Sequence, residues 1–239
     1  MRVARTGSTQ EVVLRAAREG AGEGFACLAA EQTAGRGRQG RAWVAPTGSA
    51  MLASVLLRRS PAVAAGIPFG AGLALVDVLA AEHGVMAGLK WPNDVLINGR
   101  KLAGILSEVE PMTSNPQLVA IALGIGVNLA VGRFPDGIDA VSLHTLVARP
   151  PRPEELLVAW GRALGTRLDA LERGGIAALL GDWRRCAVGL GRPVTVHATE
   201  GTVEGVAVDV GDDGALLVES SGRMYRFLAG EVHLGNAPR

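Results

Sequence analysis

Within "VLINGRKLAGILSEVE", Asn98-Gly99 stands between two apolar runs, and no other dipeptide constrains the fold as tightly. The pair tolerates positive φ at both central positions of a two-residue turn, so two antiparallel strands are expected to meet there. The runs "GFACLAAEQ" (24–32), "SAMLASVLLR" (49–58) and "QLVAIALGIGVNLA" (117–130) read as further core strands. "STQE", Ser8 to Glu11, has the spacing of a capping box that opens a helix over "EVVLRAARE", which Gly20 then ends. An apolar-faced helix is expected over Ala64 to His83, and Pro153 marks a first helical turn ahead of helices across Glu154 to Arg185. Hairpin signals outnumber strand-helix-strand alternation, which predicts an α+β fold with a mixed or antiparallel sheet flanked by helices.

From Pro193 the pattern changes. "VTVHA", "TVEGVAVDV", "ALLVES" and "RMYRFLAGEVHL" alternate apolar and polar residues between turns at Glu200-Gly201, Asp213-Gly214 and Ser221-Gly222. That predicts a small β-barrel or meander of about 45 residues. The domain boundary is expected near Ala187 to Arg192, giving units of 1–187 and 188–239.

With 239 residues, 48% of them hydrophobic, the chain can bury a full core. Lys and Arg total 24 against 23 Asp and Glu, a formal net charge of +1, so the molecule carries no general basic footprint for nucleic acid or an anionic membrane. Any anion site must be local. Cys27 and Cys186 fit neither a metal spacing nor a disulfide framework and read as buried thiols. The start "MRVARTGSTQ" lacks the apolar segment of a signal peptide. No apolar run approaches the roughly 20 residues of a membrane span, so a cytoplasmic location is expected.

The local site is expected at "GRGRQGRAW", Gly35 to Trp43. Gly35, Gly37 and Gly40 permit close backbone approach, while Arg36, Arg38 and Arg41 each carry a planar fork for phosphate or carboxylate. A solvated surface turn is the competing reading. An RNA-binding arginine-glycine segment is a third, but such segments are longer and interleave more aromatics than the single Trp43. No G-x-x-x-x-G-K-[ST] motif occurs, and "GIGVNL", Gly124 to Leu129, lacks the third glycine of a dinucleotide fingerprint. Glycines inside that strand read as places where a ligand lies against backbone. Lys90 and Lys101, in "KWPNDVLINGRKLAGIL", are the only two lysines, which leaves 22 of the 24 basic residues as arginine. Lysine in so arginine-rich a chain points to sites that need a compact ammonium. Pro92 fixes the turn beside Trp91 that presents Asn93 and Asp94 next to Lys90, and a structural ion pair between Asp94 and a lysine is the alternative.

"GSTQ" (7–10), "EQTAGRGRQGRAW" (31–43), "KWPNDVLINGRKLAGIL" (90–106) and "LGIGVNL" (123–129) follow one another in an order that resembles the biotin protein ligases, the biotin-[acetyl-CoA-carboxylase] ligases. "GRPV" and the strands after it resemble that family's C-terminal module. The resemblance implies a ligase-like catalytic fold followed by a small SH3-like β-barrel, and a reaction in two steps. Biotin and Mg-ATP give biotinyl-5′-AMP and pyrophosphate, and the acyl group then passes to a lysine of a biotin carboxyl carrier protein. Ser8, Thr9, Gln10 and Gln32 would meet the ureido ring, with Gln10 standing where the family usually has Asn. Gly35, Arg36, Gly37, Arg38 and Gly104 would line the acyl and carboxylate side, and Lys90 would offset the charge that develops as the carboxylate attacks phosphorus. Arg36, Arg38, Arg41, Trp43, Asn93, Lys101, Gly124, Gly126 and Asn128 would serve the adenylate, and Asp94 either binds Mg²⁺ or orients Lys101. The arginine loop is expected to order over the mixed anhydride and exclude water until the carrier docks. The implied partners are biotin, ATP and the carrier, without nucleic acid or membrane, and a homodimer is left open. With "GSTQ" starting at residue 7, a preceding DNA-binding helix-turn-helix is not expected, which is the monofunctional type. A lipoate or octanoate transferase is the alternative, but a saturated acyl chain has no use for the polar cluster at Ser8 to Gln10.

Overall fold

The computed structural model describes residues 1–112, 115–199 and 201–235. The first part of the chain forms β1 (Arg2–Thr6), α1 (Thr9–Arg18), β2 (Ala26–Gln32), β3 (Ala50–Arg59), α2 (Pro61–Ala64), α3 (Ile67–His83) and β4 (Gly88–Lys90). Then come β5 (Asp94–Ile97), β6 (Arg100–Pro111), β7 (Val119–Asn128), α4 (Pro153–Gly174) and α5 (Ala177–Cys186). The last strands are β8 (Pro193–Ala198), β9 (Gly201–Val210), β10 (Leu216–Ser220), β11 (Arg223–Phe227) and β12 (Glu231–Leu234).

Strands β1 to β7 build one sheet in the order β1-β2-β3-β7-β6-β5-β4, mixed only because β1 runs parallel to β2. The Asn98-Gly99 turn forms as expected, with φ of 51° and 80°, and β5 and β6 leave it antiparallel. Strands β3, β6 and β7 are long and central because their sequences are rich in aliphatic residues that both faces of the sheet can bury. Helix α3 lacks a polar stripe and is buried on all sides: Ile67, Leu73, Leu75 and Leu79 are at most 1% exposed. Helix α4 covers it, and Trp160 donates its indole N–H to the Ala71 carbonyl at 3.0 Å.

Two local details differ from the expected pattern. Ser8 caps α1, but its Oγ accepts from Gln10 N at 3.3 Å, and Glu11 turns away to pair with Arg36 instead of closing the capping box. "RMYRFLAGEVHL" resolves into two strands, β11 and β12. The turn expected at Glu200-Gly201 includes Glu200, which lies outside the described residues.

Strands β8 to β12 form an antiparallel sheet in the order β11-β10-β9-β8-β12. Its ladder is not closed, since among the described residues β11 and β12 remain its two edges. One apolar core nevertheless runs beneath both sheets, from Leu73 and Trp160 through Trp91 and Trp183 to Val196, Leu216 and Val218. Each such buried side chain contributes about 1.5–3 kcal/mol of transfer free energy, so the small sheet is held by packing as well as by its linker. Cys27 is fully buried and Cys186 partly so, and burial pushes both thiols above their ordinary range, which suits packed thiols. Among the described residues no helix is long and apolar enough to cross a membrane.

Candidate functional site

A cleft opens between the first turn of α1, the end of β2, the arginine-glycine loop and the central strands β3, β6 and β7. Its polar end is made by Thr9, Gln10, Gln32 and Ser54. The Gln32 Oε1 accepts from Thr9 N at 2.7 Å and from Thr9 Oγ1 at 3.0 Å, which leaves Nε2 as the end of that amide without a partner among the described residues. Gln10 is turned the other way. Its Nε2 donates to the carbonyls of Leu106 at 3.1 Å and Ala122 at 3.2 Å, so Oε1 is the end without a protein partner among the described residues. The extra methylene relative to Asn lets the amide span β6 and β7 while its carbon stem lies on Gly124, with Cγ 3.2 Å from where a Cβ would stand. Two amides thus offer one free donor and one free acceptor. Ser8 does not join them, because its hydroxyl serves as the helix cap.

The arginine-glycine loop is a hydrogen-bonded turn rather than a solvated tail. Trp43 N donates to Gly35 O at 2.9 Å, Gly37 N to Arg41 O at 2.7 Å and Arg41 N to Arg38 O at 3.2 Å, with Gln39 and Gly40 at positive φ. Gly35 cannot carry a side chain: a Cβ would stand 2.4 Å from the Trp43 carbonyl. The three arginines have separate fates. Arg36 pairs with Glu11 at 3.4 Å and Glu108 at 3.2 Å, and Arg41 pairs with Glu231 of β12. Arg38 makes no ion pair among the described residues. Burial pushes its pKa down, with Asp94 opposing and Arg41 reinforcing, which marks a partly desolvated cation.

The floor of the cleft is glycine. Gly104 on β6 lies opposite Gly126 on β7, and the Trp43 ring rests on both, 2.9 Å and 2.5 Å from where their Cβ atoms would stand. Trp43 Nε1 is buried there without a hydrogen-bond partner. Asn128 does not line this cleft. Its amide donates to Lys101 O at 3.3 Å and helps hold β6.

The two lysines meet at one carboxylate. Lys101 Nζ lies 2.6 Å from Asp94 Oδ1, and Lys90 Nζ lies 3.6 Å from Asp94 Oδ2. The antiparallel register explains it, since Asp94 faces Lys90 across β4 and β5 and faces Gly104 across β5 and β6. Lys101 also lies 5.6 Å from the Trp43 ring centroid and 3.3 Å from the Gly104 Cβ position, which sets its ammonium beside the cleft. Its backbone is pinned by Lys101 N to Asp139 O at 3.1 Å and Val141 N to Lys101 O at 2.9 Å. Lys90 instead lines a narrow crevice beneath the second sheet, with Trp91 and Trp183. Asn93 Nδ2 donates to Ile105 O at 2.6 Å, and Asn93 lines both the cleft and a neighbouring hollow of about 470 Å³ that Arg38, Ser107 and Gly214 also line. Trp91 on the same turn donates its indole N–H to Gly214 O at 2.9 Å.

The donor set does not suit a resident metal ion. Both Asp94 oxygens face ammonium groups, and among the described residues no three His, Cys, Asp or Glu side chains converge. Ser54, Glu108 and Glu231 belong to this constellation without having been singled out in the sequence, from which Glu11 is expected only to close a helix cap. Only Ser54 gives a local signal, as a hydroxyl inside an apolar strand.

Residues 3–128, more than half of the chain, match the biotin/lipoate A/B protein ligase family. The chain belongs to that family. Residues 189–235 of this biotin/lipoate ligase family member match the biotin protein ligase C terminal domain. It is 37% identical to the biotin-[acetyl-CoA-carboxylase] ligase of Paracoccus denitrificans, over 98% of this chain and 99% of that protein. It is likewise 37% identical to the biotin-[acetyl-CoA-carboxylase] ligase of Mycobacterium tuberculosis, over 96% of this chain and 86% of the relative. Among solved structures it resembles the biotin protein ligase of Aquifex aeolicus in complex with biotin and ATP, with a TM-score of 0.82, 26% identity and coverage of 98% and 97%. Both halves of the fold are therefore those of the family.

Proposed function

We propose that this protein is a biotin protein ligase, which activates biotin with Mg-ATP to biotinyl-5′-AMP and passes the biotinyl group to a lysine of a biotin carboxyl carrier protein. The observation that carries this reading is the polarity of the cleft. Against Gly124 stands the Gln10 amide with its free acceptor and beside Gly35 the Gln32 amide with its free donor, while Lys101 and the tryptophan stand by Gly104 and Gly126, with Arg38, unpaired among the described residues, adjoining. A cyclic urea has N–H donors and a carbonyl for the first end, and a carboxylate for the second. A lipoyl or octanoyl chain gives the amides nothing to bond, which disfavours the transferase alternative. The names of the Paracoccus and Mycobacterium relatives, and the Aquifex complex, support the same substrates.

In the first step a carboxylate oxygen attacks the α-phosphorus of ATP, and the bond from that phosphorus to the bridging oxygen breaks to release pyrophosphate. Two anions must approach one another, so fixed cations at the reacting atoms lower the barrier. Lys101 stands closest to the cleft and Arg38 clamps the phosphoryl group. Lys90 shares Asp94 with Lys101 and adds a second ammonium behind it. Asp94 orients Lys101, and Mg²⁺ arrives on the nucleotide as part of that substrate. In the second step the amine of the carrier lysine attacks the acyl carbon, AMP leaves, and the new ammonium loses its proton to water. Trp43 and the loop cover the anhydride meanwhile, with Arg36 and Arg41 fastening the loop at its two ends. We read the chain as two units, 1–187 and 188–239, with the second bracing the loop through Glu231, and as a cytoplasmic protein. The test is biotin-dependent pyrophosphate release from ATP, followed by transfer to a carrier domain. Folded protein that releases pyrophosphate with lipoate and not with biotin would overturn this reading.

A further inference from the structure

Ser54 is fully buried in the middle of β3 and is the only hydroxyl in the run "AMLASVLL". Its Oγ lies 2.8 Å from Thr9 Oγ1, and the neighbours decide which of the two donates. Thr9 N lies 2.7 Å from the same Gln32 atom that lies 3.0 Å from Thr9 Oγ1. A backbone N–H can only donate, so that atom is the amide oxygen and the other end is Nε2. An amide oxygen can only accept, so Thr9 gives it the single hydroxyl proton. Ser54 must then donate to Thr9. The protons therefore run in one direction, from Ser54 to Thr9 to Gln32. Both lone-pair positions of the Gln32 oxygen are engaged, and Nε2, 3.0 Å from the Gly35 Cβ position, has its N–H groups to offer the cleft.

We propose that Ser54 is a positioning residue for substrate choice. By donating to Thr9 it keeps the threonine proton on Gln32, and this second bond reinforces the Thr9 backbone N–H in holding the amide with Nε2 toward the cleft as a donor wall. A donor wall selects a ring carbonyl and rejects a ring that places N–H groups at the same point, because two donors face each other there without an acceptor. The inference rests on the ligase reading and names the residue that sets its ring specificity.

The test compares biotin with 2-iminobiotin, whose ring carbonyl is replaced by a protonated imine, through pyrophosphate release by the full-length protein and its Ser54→Ala and Ser54→Cys variants. In the parent protein biotin is expected to be strongly preferred, and equal use of the two substrates would overturn the proposal. Ser54→Ala is expected to lower the biotin-to-iminobiotin ratio of kcat/KM about tenfold, the scale of one hydrogen bond, through the KM for biotin and with the KM for ATP unchanged. Ser54→Cys keeps the side chain at the site with a weaker donor and is expected to fall between the two. It carries the test if a melting curve shows the alanine variant unfolded. Parallel loss on both substrates, with the ratio preserved, would make Ser54 merely structural and overturn the proposal. Absence of biotin-dependent pyrophosphate release in the parent protein would instead remove the ligase reading, and this inference with it.

Discussion

Lys101 Nζ and Asp94 Oδ1 lie 2.6 Å apart, closer than Lys90 comes to the same carboxylate. Lys101→Arg preserves charge but replaces a compact ammonium with a wide planar fork beside Gly104. Displacing that charge by about an ångström is expected to cost on the order of a hundredfold in pyrophosphate release, with little change in melting temperature. Lys90→Arg, at the crevice beneath the second sheet, is expected to lose only about tenfold. A larger loss at Lys90 than at Lys101 would exchange the two roles.

Arg38→Gly removes the one loop arginine without an ion pair among the described residues and frees the backbone where the turn is closed by Arg41 N on Arg38 O. The variant is expected to keep consuming biotin and ATP while the anhydride escapes and labels lysines on bystander proteins. Unaltered selectivity for the carrier in a mixed-protein labelling assay would count against Arg38 as the clamp.

Gly126→Ala brings a methyl group to within 2.5 Å of the Trp43 ring, so the indole must move or the strand must yield. Overpacking of this kind costs about 1–3 kcal/mol. The melting temperature is expected to fall, and the tryptophan emission change on adding biotin and ATP is expected to shrink. An unchanged emission response would show that Trp43 does not cover the ligand.

Burial, opposed by Arg36 and reinforced by Glu11 and Glu110, holds the Glu108 carboxyl above its ordinary range. An acid whose folded pKa is raised favours the folded state at low pH, and that contribution is lost as pH rises through the folded pKa. Glu108→Gln is therefore expected to raise the melting temperature near neutral pH, with the gain fading as pH falls to about 4. A gain that persists in acid would mean that Glu108 titrates as it does in the unfolded chain.

The elements that announced themselves in the sequence were those with local chemistry: Asn98-Gly99 at a hairpin, Pro153 at a helix start, Ser8 at a cap. Strand β1 contains a single Val, and β4 is three residues long, so neither carries a period to read. The glycines of the cleft were legible because close approach needs them. The partners of the arginines were not, since Glu11, Glu108 and Glu231 reach the loop from distant parts of the chain. Nor does spacing reveal that Lys90 and Lys101 share Asp94, because that depends on a register shift between Val95 and Leu96.

Trp91 precedes the residues that present Asn93 and Asp94, yet its indole N–H is committed to Gly214, which itself backs onto Phe69 and Ile176. The wall of the cleft is thus bolted to a turn of the other sheet, and a drift of that sheet would change the height at which Asn93 stands in it. A chain cut before Pro193 would leave this indole orphaned and bare a sticky apolar face directly under its own chemistry. The small sheet is a keystone: the two halves can be inherited, exchanged or engineered only as a pair.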